Sequence, residues 1–262
     1  MPTPAELNEF REAAIDMAVE AGKLTLRYYQ GRYDLEVKED GSPVTSADRH
    51  AEERLRDYIE TTYPDHEILG EEHEPKKTGS PYRWILDPID GTQSFIHGVP
   101  LYTTLVGLTY YEHPIVGVIY APAVQELCDA AEGLGCRYNS EQCSIRYCDS
   151  FNDAALLSTD LTTIQGQGLM PAFEEMLRQC RMHRTWGDAY GHMLVASGRA
   201  DIMFDPVLSV WDAAPLYTIV REAGGVYSDL KGESTIYGGN GLSCSPLLHD
   251  KILEILNKQQ TG

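Results

Sequence analysis

The sequence has 262 residues, and at roughly 100–200 residues per domain this length suits one or two lobes sharing an interface. Hydrophobic residues make up 42% and charged residues 23%, a mix that excludes a disordered chain, a collagen and a coiled coil. Forty acidic against 21 basic residues give a net charge of −19, so a nucleic-acid partner, which needs clustered Lys and Arg, is not expected.

Thr3-Pro4-Ala5-Glu6 is a capping box with Pro at the first helical position. Leu7, Phe10, Ala14, Met17, Ala21, Leu24 and Tyr28 then recur in steps of three and four, which predicts a long amphipathic helix. Glu6, Glu9, Arg11, Glu12, Asp16 and Glu20 break any apolar signal core, and no run of about 18 apolar residues follows, so neither secretion nor a membrane span is expected. A second helix is predicted from Thr45 through Ala51, Leu55 and Ile59 to a stop before Pro64. Glu67-Ile68-Leu69 and Arg83-Trp84-Ile85-Leu86 read as strands, each ending in acids. Tyr102–Tyr110 and Ile115–Tyr120 read as a hairpin turning at Glu112-His113-Pro114, and Leu127–Ala131 with Cys136–Tyr138 as another. The polar break Asp149–Asp153 suggests a boundary between lobes spanning residues 1–150 and 151–262.

Beyond it, strands at Leu156–Thr159, His183–Trp186, Ile202–Phe204 and Val226–Ser228 alternate with helices near Pro171–Cys180, Ala189–Ser197 and Trp211–Ala223. Pro246 opens a last helix with Leu248, Ile252 and Ile255 on one face. The pattern suggests a layered α/β second lobe beside an α+β first lobe. Cys128, Cys136, Cys143, Cys148, Cys180 and Cys244 form no C-x-x-C pair, and the eight histidines form no metal-binding spacing. The cysteines therefore read as reduced thiols of a cytoplasmic protein, without zinc chemistry.

The sharpest chemical signal is Trp84-Ile85-Leu86-Asp87-Pro88-Ile89-Asp90-Gly91-Thr92. A buried strand delivers Asp87, Pro88 fixes φ, and Asp90 follows three residues later. Two carboxylates crowded in a dry turn repel each other, and an all-oxygen cluster suits Mg²⁺ or Mn²⁺. Gly91-Thr92 then offers backbone N–H groups as a phosphate cradle. The plainer alternative is an acidic turn that caps the next segment. Gly70-Glu71-Glu72 is placed to add a carboxylate, and Trp211-Asp212-Ala213-Ala214 opens a helix ending in Glu222-Ala223-Gly224-Gly225. Here too plain readings exist: Asp212 as an N-cap, Asp48 as the fourth residue of a box opened by Thr45, Glu72 as a surface acid.

Taken in order, Gly70-Glu71-Glu72, Asp87-Pro88-Ile89-Asp90-Gly91-Thr92, Trp211-Asp212-Ala213-Ala214 and Glu222-Ala223-Gly224-Gly225 resemble the inositol monophosphatase-like metal-dependent phosphatases over nearly the whole chain. Ser94-Phe95-Ile96-His97-Gly98-Val99-Pro100-Leu101-Tyr102 and Trp186-Gly187-Asp188-Ala189-Tyr190-Gly191 look most like the histidinol-phosphate phosphatase branch, from which Gln93 departs where Lys is expected. The resemblance implies a layered αβαβα sandwich of the inositol monophosphatase and fructose-bisphosphatase type. It implies one Mg²⁺ on Glu71, Asp87 and the Ile89 carbonyl, a second on Asp87, Asp90 and Asp212, and a weaker third sharing Glu71, with Mn²⁺ as a substitute. Thr92, paired with Asp48, and Glu71 would activate a water, and the Gly91 and Thr92 N–H groups would hold the phosphate.

The implied partner is a small phosphate ester, hydrolysed without a covalent nucleophile, and the implied assembly is a homodimer. Asp205 faces the alcohol part of the substrate in this resemblance, so with Asp188 it is expected to meet the ammonium or imidazole of histidinol phosphate. An N-cap role is the plain reading of Asp188. Inositol, sugar and phosphoadenosine phosphates are the alternative substrates. An acidic cation-binding relative without chemistry is disfavoured by the presence of Glu71, Asp87, Asp90, Thr92 and Asp212.

Overall fold

Capping chemistry sets the first two helices of the computed structural model, which describes residues 1–31, 33–37 and 43–259. α1 (Pro4–Thr25) starts at Thr3, whose N–H donates to the Glu6 carboxylate at 2.7 Å while the Glu6 N–H returns to the Thr3 hydroxyl. A short antiparallel pair, β1 (Leu35–Val37) and β2 (Pro43–Thr45), leads into α2 (Ser46–Thr62). Here Thr45 is the N-cap, and its N–H and hydroxyl both donate to Asp48 Oδ2, at 2.8 and 2.5 Å.

A seven-stranded sheet follows in strict chain order: β3 (Glu67–Gly70), β4 (Tyr82–Asp90), β5 (Thr103–Tyr110), β6 (His113–Ala121), β7 (Glu126–Ala131), β8 (Gly135–Tyr138) and β9 (Glu141–Cys143). Only β3 and β4 run parallel. Between β4 and β5 lies α3 (Thr92–Ile96), a single short helix. The β5–β6 hairpin turns at Tyr111 and Glu112, both at positive φ (47° and 66°), so His113 and Pro114 belong to the strand and not to the turn expected from the sequence. Without Gly or Asn to mark this tight turn, the sequence signal shifted to Pro114.

The chain then enters a five-stranded sheet. Its elements are β10 (Ala155–Ser158), α4 (Leu161–Gly166), α5 (Met170–Gln179), β11 (Met182–Arg184), α6 (Asp188–Ala196), β12 (Ile202–Asp205), α7 (Val210–Glu222), β13 (Val226–Ser228), β14 (Gly241–Cys244) and α8 (Pro246–Gln259). The strand order is β11-β10-β12-β14-β13. β10 pairs in parallel with β11 and β12, but β14 runs antiparallel to β12 and β13, so the sheet is mixed.

Three apolar clusters define the layers. Leu7, Phe10, Met17 and Ala21 of α1 and Leu55 and Ile59 of α2 pack on Trp84, Leu86, Val106 and Val118 of the first sheet. Ile85, Leu105 and Ile119 on the opposite face meet Met193 of α6 and Ala214 and Leu216 of α7, and these helices also meet Leu157 and Met203 of the second sheet. Phe173 and Met176 of α5 and Leu248 and Ile252 of α8 cover the outer face at Leu156, Ile202 and Leu242. The result is helix, sheet, helix, sheet, helix. α7 lies close on the first sheet because Gly117 has no side chain: a Cβ there would stand 2.3 Å from the Pro215 carbonyl oxygen. The middle helix layer thus delivers the N-termini of α6 and α7 to the C-terminal end of β4.

Candidate active site

In a regular strand residues i and i+3 point to opposite faces, yet Asp87 and Asp90 share one site. The cause is a break in the β4–β5 ladder: Asp87 faces Leu105 and Asp90 faces Thr103, so β4 carries one extra residue. Pro88 has no N–H for the ladder, and its carbonyl accepts the Thr104 hydroxyl at 2.9 Å. Asp87 Oδ1 accepts the Ile89 N–H at 2.9 Å, closing an Asx-type turn. Asp90 Oδ2 accepts the Thr103 hydroxyl and the Ala189 N–H, each at 2.8 Å, so the first turn of α6 points at this carboxylate. Asp212 comes from α7. Ser209 is the N-cap there, and its N–H donates to Asp212 Oδ2 at 2.8 Å, which places Asp212 in the third helical position rather than at the cap.

One oxygen from each of Asp87, Asp90 and Asp212 lies within 4.8 Å of the others. At an effective dielectric of about 20, each ionised pair at such distances repels by roughly 3–4 kcal/mol. Burial, then the charges of Glu71 and Asp212, raises the Asp87 carboxyl far above its usual range, and burial with Asp188 does the same to Asp90. Burial foremost pushes Asp212 up to about 7. Three carboxylates that cannot all ionise alone, with oxygen donors only, are a fit for a hard divalent cation.

Glu71 follows β3, anchored by its N–H to the Leu86 carbonyl at 3.2 Å, and lines a cavity of about 430 Å³ beside the cluster. Gly91, Thr92, Gln93, Thr159, Asp160, Thr185 and Asp188 line the same cavity, and among the described residues its wall carries acids but no Lys, Arg or His. Gly91 adopts φ +76°, and a Cβ there would meet Asp188 Oδ2 at 2.9 Å. The Thr92 hydroxyl donates to the Ile89 carbonyl at 3.2 Å rather than to Asp48. Asp48 is held through Oδ2 by Thr45, while its buried Oδ1 has no hydrogen-bond partner among the described residues. Burial, ahead of the Glu71 charge, pushes Asp48 up to about 6.

Asp188 is the first residue of α6, after the N-cap Gly187, and takes the left-handed conformation (φ 54°), which side chains rarely adopt. Its N–H donates to the Thr159 hydroxyl at 3.0 Å, and that hydroxyl donates to Asp205 Oδ2 at 2.9 Å. Asp205 is therefore buried, 4% exposed, beneath Thr159, and is not on the cavity wall. Through the Thr159 hydroxyl it braces the turn that presents Asp188. Asp160, half-buried, lines the cavity. It caps α4, accepting the Thr163 N–H at 2.7 Å. The sequence reading passed over Asp160, which directly follows the predicted strand Leu156–Thr159, because position after a strand gives no direction for a side chain.

The model of the inositol monophosphatase family matches residues 6–261. This chain belongs to the inositol monophosphatase family. It is 41% identical over 233 residues to a histidinol-phosphatase of Chlorobaculum parvum, covering 88% of this chain and 90% of the relative. A histidinol-phosphatase of Mycobacterium tuberculosis is 36% identical over 251 residues, covering 93% and 96%. Among solved structures, the extragenic suppressor protein suhB from Bartonella henselae superposes with a TM-score of 0.88 at 27% identity, covering 94% of this chain and 98% of that one. With the family comes the reaction class: the protein is a metal-dependent phosphoric monoester hydrolase. No helix among the described residues is long and apolar enough to cross a membrane.

Proposed function

We propose that the protein hydrolyses L-histidinol phosphate to L-histidinol and phosphate, with Mg²⁺ held by Asp87, Asp90, Asp212, Glu71 and the Ile89 carbonyl. The observation that carries the substrate is the cavity wall, where Glu71, Asp160 and Asp188 stand without a basic side chain among the described residues. Such a wall repels a phosphate dianion unless cations and N–H groups receive it, and it attracts a cationic remainder. Histidinol phosphate carries an ammonium and a titratable imidazole, whereas inositol and sugar phosphates offer neutral hydroxyls. The names of the most similar relatives point the same way.

Two or three Mg²⁺, replaceable by Mn²⁺, would supply neutralisation of the phosphoryl oxygens and a lowered pKa for a nearby water. The chain's own residues do the positioning. The first-turn N–H groups of α3, at Gly91 and Thr92, have no intrahelical partner and face phosphate oxygens. Glu71 and the Thr92 hydroxyl orient the attacking water. When Thr92 leaves the Ile89 carbonyl, Asp48 Oδ1, without a partner among the described residues, is the buried acceptor for its proton; Ala47, its neighbour in sequence, packs on Ile89.

Asp160 and Asp188 receive the ammonium or imidazolium. A charge-assisted hydrogen bond contributes about 1.5–3 kcal/mol, so Asp160→Asn should lower kcat/KM for histidinol phosphate by about 10- to 150-fold while sparing a small neutral phosphomonoester. Asn retains an acceptor for the Thr163 N–H, so α4 should stay capped. Equal losses on both esters would remove the argument for a cationic substrate.

A further inference from the structure

Outside the carboxylate cluster, the sheet assembles a second group of ligating side chains that no spacing in the sequence announces. Across β8 and β9, Cys136 directly faces Cys143. Across β7 and β8, Cys136 faces Ala130, so Cys128 is its diagonal neighbour on the same face, while Asp129 and Arg137 pair on the other. The Cys136 sulfur lies 3.4 Å from Cys128 Sγ and 3.4 Å from Cys143 Sγ, and all three sulfurs fall within 4.8 Å. Cys128 and Cys136 are buried; Cys143 is half-buried on the last strand of the sheet, which gives an entry path. The Arg199 guanidinium lies 4.5 Å over the Tyr138 ring and acts on Cys143 electrostatically.

We propose that Cys128, Cys136 and Cys143 form a three-thiolate site for Zn²⁺, separate from the Mg²⁺ cluster. Thiolates select soft or borderline ions over Mg²⁺. At a Zn–S length of about 2.3 Å, tetrahedral geometry sets sulfurs roughly 3.8 Å apart, so the observed gaps need only a small opening. A disulfide, at about 2.05 Å, requires a much larger closure and leaves the third thiol unused. Binding replaces three S–H protons by one dication, releasing three protons and leaving one net negative charge. Arg199 balances that charge, whereas a monovalent soft ion would leave two negative charges in an apolar layer. The fourth position opens beside Cys143 and takes a water.

The site would stiffen the sheet edge that holds α7, because Glu222 accepts the Gly133 and Gly135 N–H groups at 2.9 and 2.8 Å from the β7–β8 turn. The test uses the whole chain, reduced, stripped of metal and returned to excess Mg²⁺, then titrated with Co²⁺ and with Zn²⁺. A thiolate-to-cobalt charge-transfer band, which carboxylates cannot give, should saturate at one ion per chain and bleach when Zn²⁺ is added. Cys143→Ser should abolish the band and the Zn²⁺-induced rise in Tm while leaving Mg²⁺-dependent hydrolysis unchanged. Cys136→Ala, with folding checked by circular dichroism, should do the same. No band in the unaltered protein, a band surviving in folded Cys143→Ser, or a disulfide forming in place of metal uptake would overturn the site.

Discussion

Asp212→Asn should reduce Mg²⁺-dependent turnover by about three orders of magnitude or more. A ligand charge acting on the transition state through bound metal contributes several kcal/mol, and about 4 kcal/mol is a thousandfold. The fold should survive, because Asn can still accept the Ser209 N–H that closes the first turn of α7. Without metal the variant should be the more stable protein. Asp212 is pushed up to about 7 in the folded state, against an ordinary value of 3.8, so the unfolded chain releases this proton first. Stability from the protonated form is full below the ordinary value and is lost as pH rises toward the folded one, whereas Asn does not titrate. The variant's advantage should therefore be small near about pH 5 and larger near about pH 7.5, read from denaturant midpoints in chelator. Unchanged turnover across a Mg²⁺ titration would contradict the ligand assignment.

Thr92→Ala should lower kcat by about 100- to 1,000-fold with little change in KM, in the range of a lost proton-transfer or orienting group. The backbone at Gly91 and Thr92 that would receive phosphate does not depend on the side chain, so binding should persist. Thr92→Ser keeps the hydroxyl and should retain most of the activity. Steady-state kinetics on the two variants separate the hydroxyl from the methyl: equal damage from Ser and Ala would mean that Thr92 Oγ1 neither orients water nor passes a proton toward Asp48.

These two expectations rest on residues whose role was visible in different degrees. Asp87 and Asp90 stand out because Pro88 and the strand before them leave few other uses for two buried acids three residues apart. Their convergence on one face needed the ladder break opposite Leu105 and Thr103, which no sequence pattern marks. The capping boxes at Thr3 and Thr45 were legible because they are local, and the long helices followed from them. Short elements escaped notice for the opposite reason: α3, β1, β2, β9 and β14 are each five residues or fewer, too short for a period to repeat. Asp205 lies beneath Thr159 while Asp160 lines the cavity because burial depends on which of two neighbouring strand ends lies deeper, a tertiary fact. Cys128, Cys136 and Cys143 show no metal-binding spacing in the sequence since they are neighbours only across strands, where sequence distance carries no signal.

A metal-dependent site with an acidic wall should prefer a cationic ester. The most direct measurement is phosphate release, with Mg²⁺ and with chelator, from histidinol phosphate, inositol monophosphate, fructose bisphosphate and phosphoadenosine phosphate. Release should occur only with the metal, with kcat/KM for histidinol phosphate at least about tenfold above every other ester, the value of one charge-assisted contact. Equal or faster hydrolysis of inositol monophosphate, or release that survives the chelator, would contradict it.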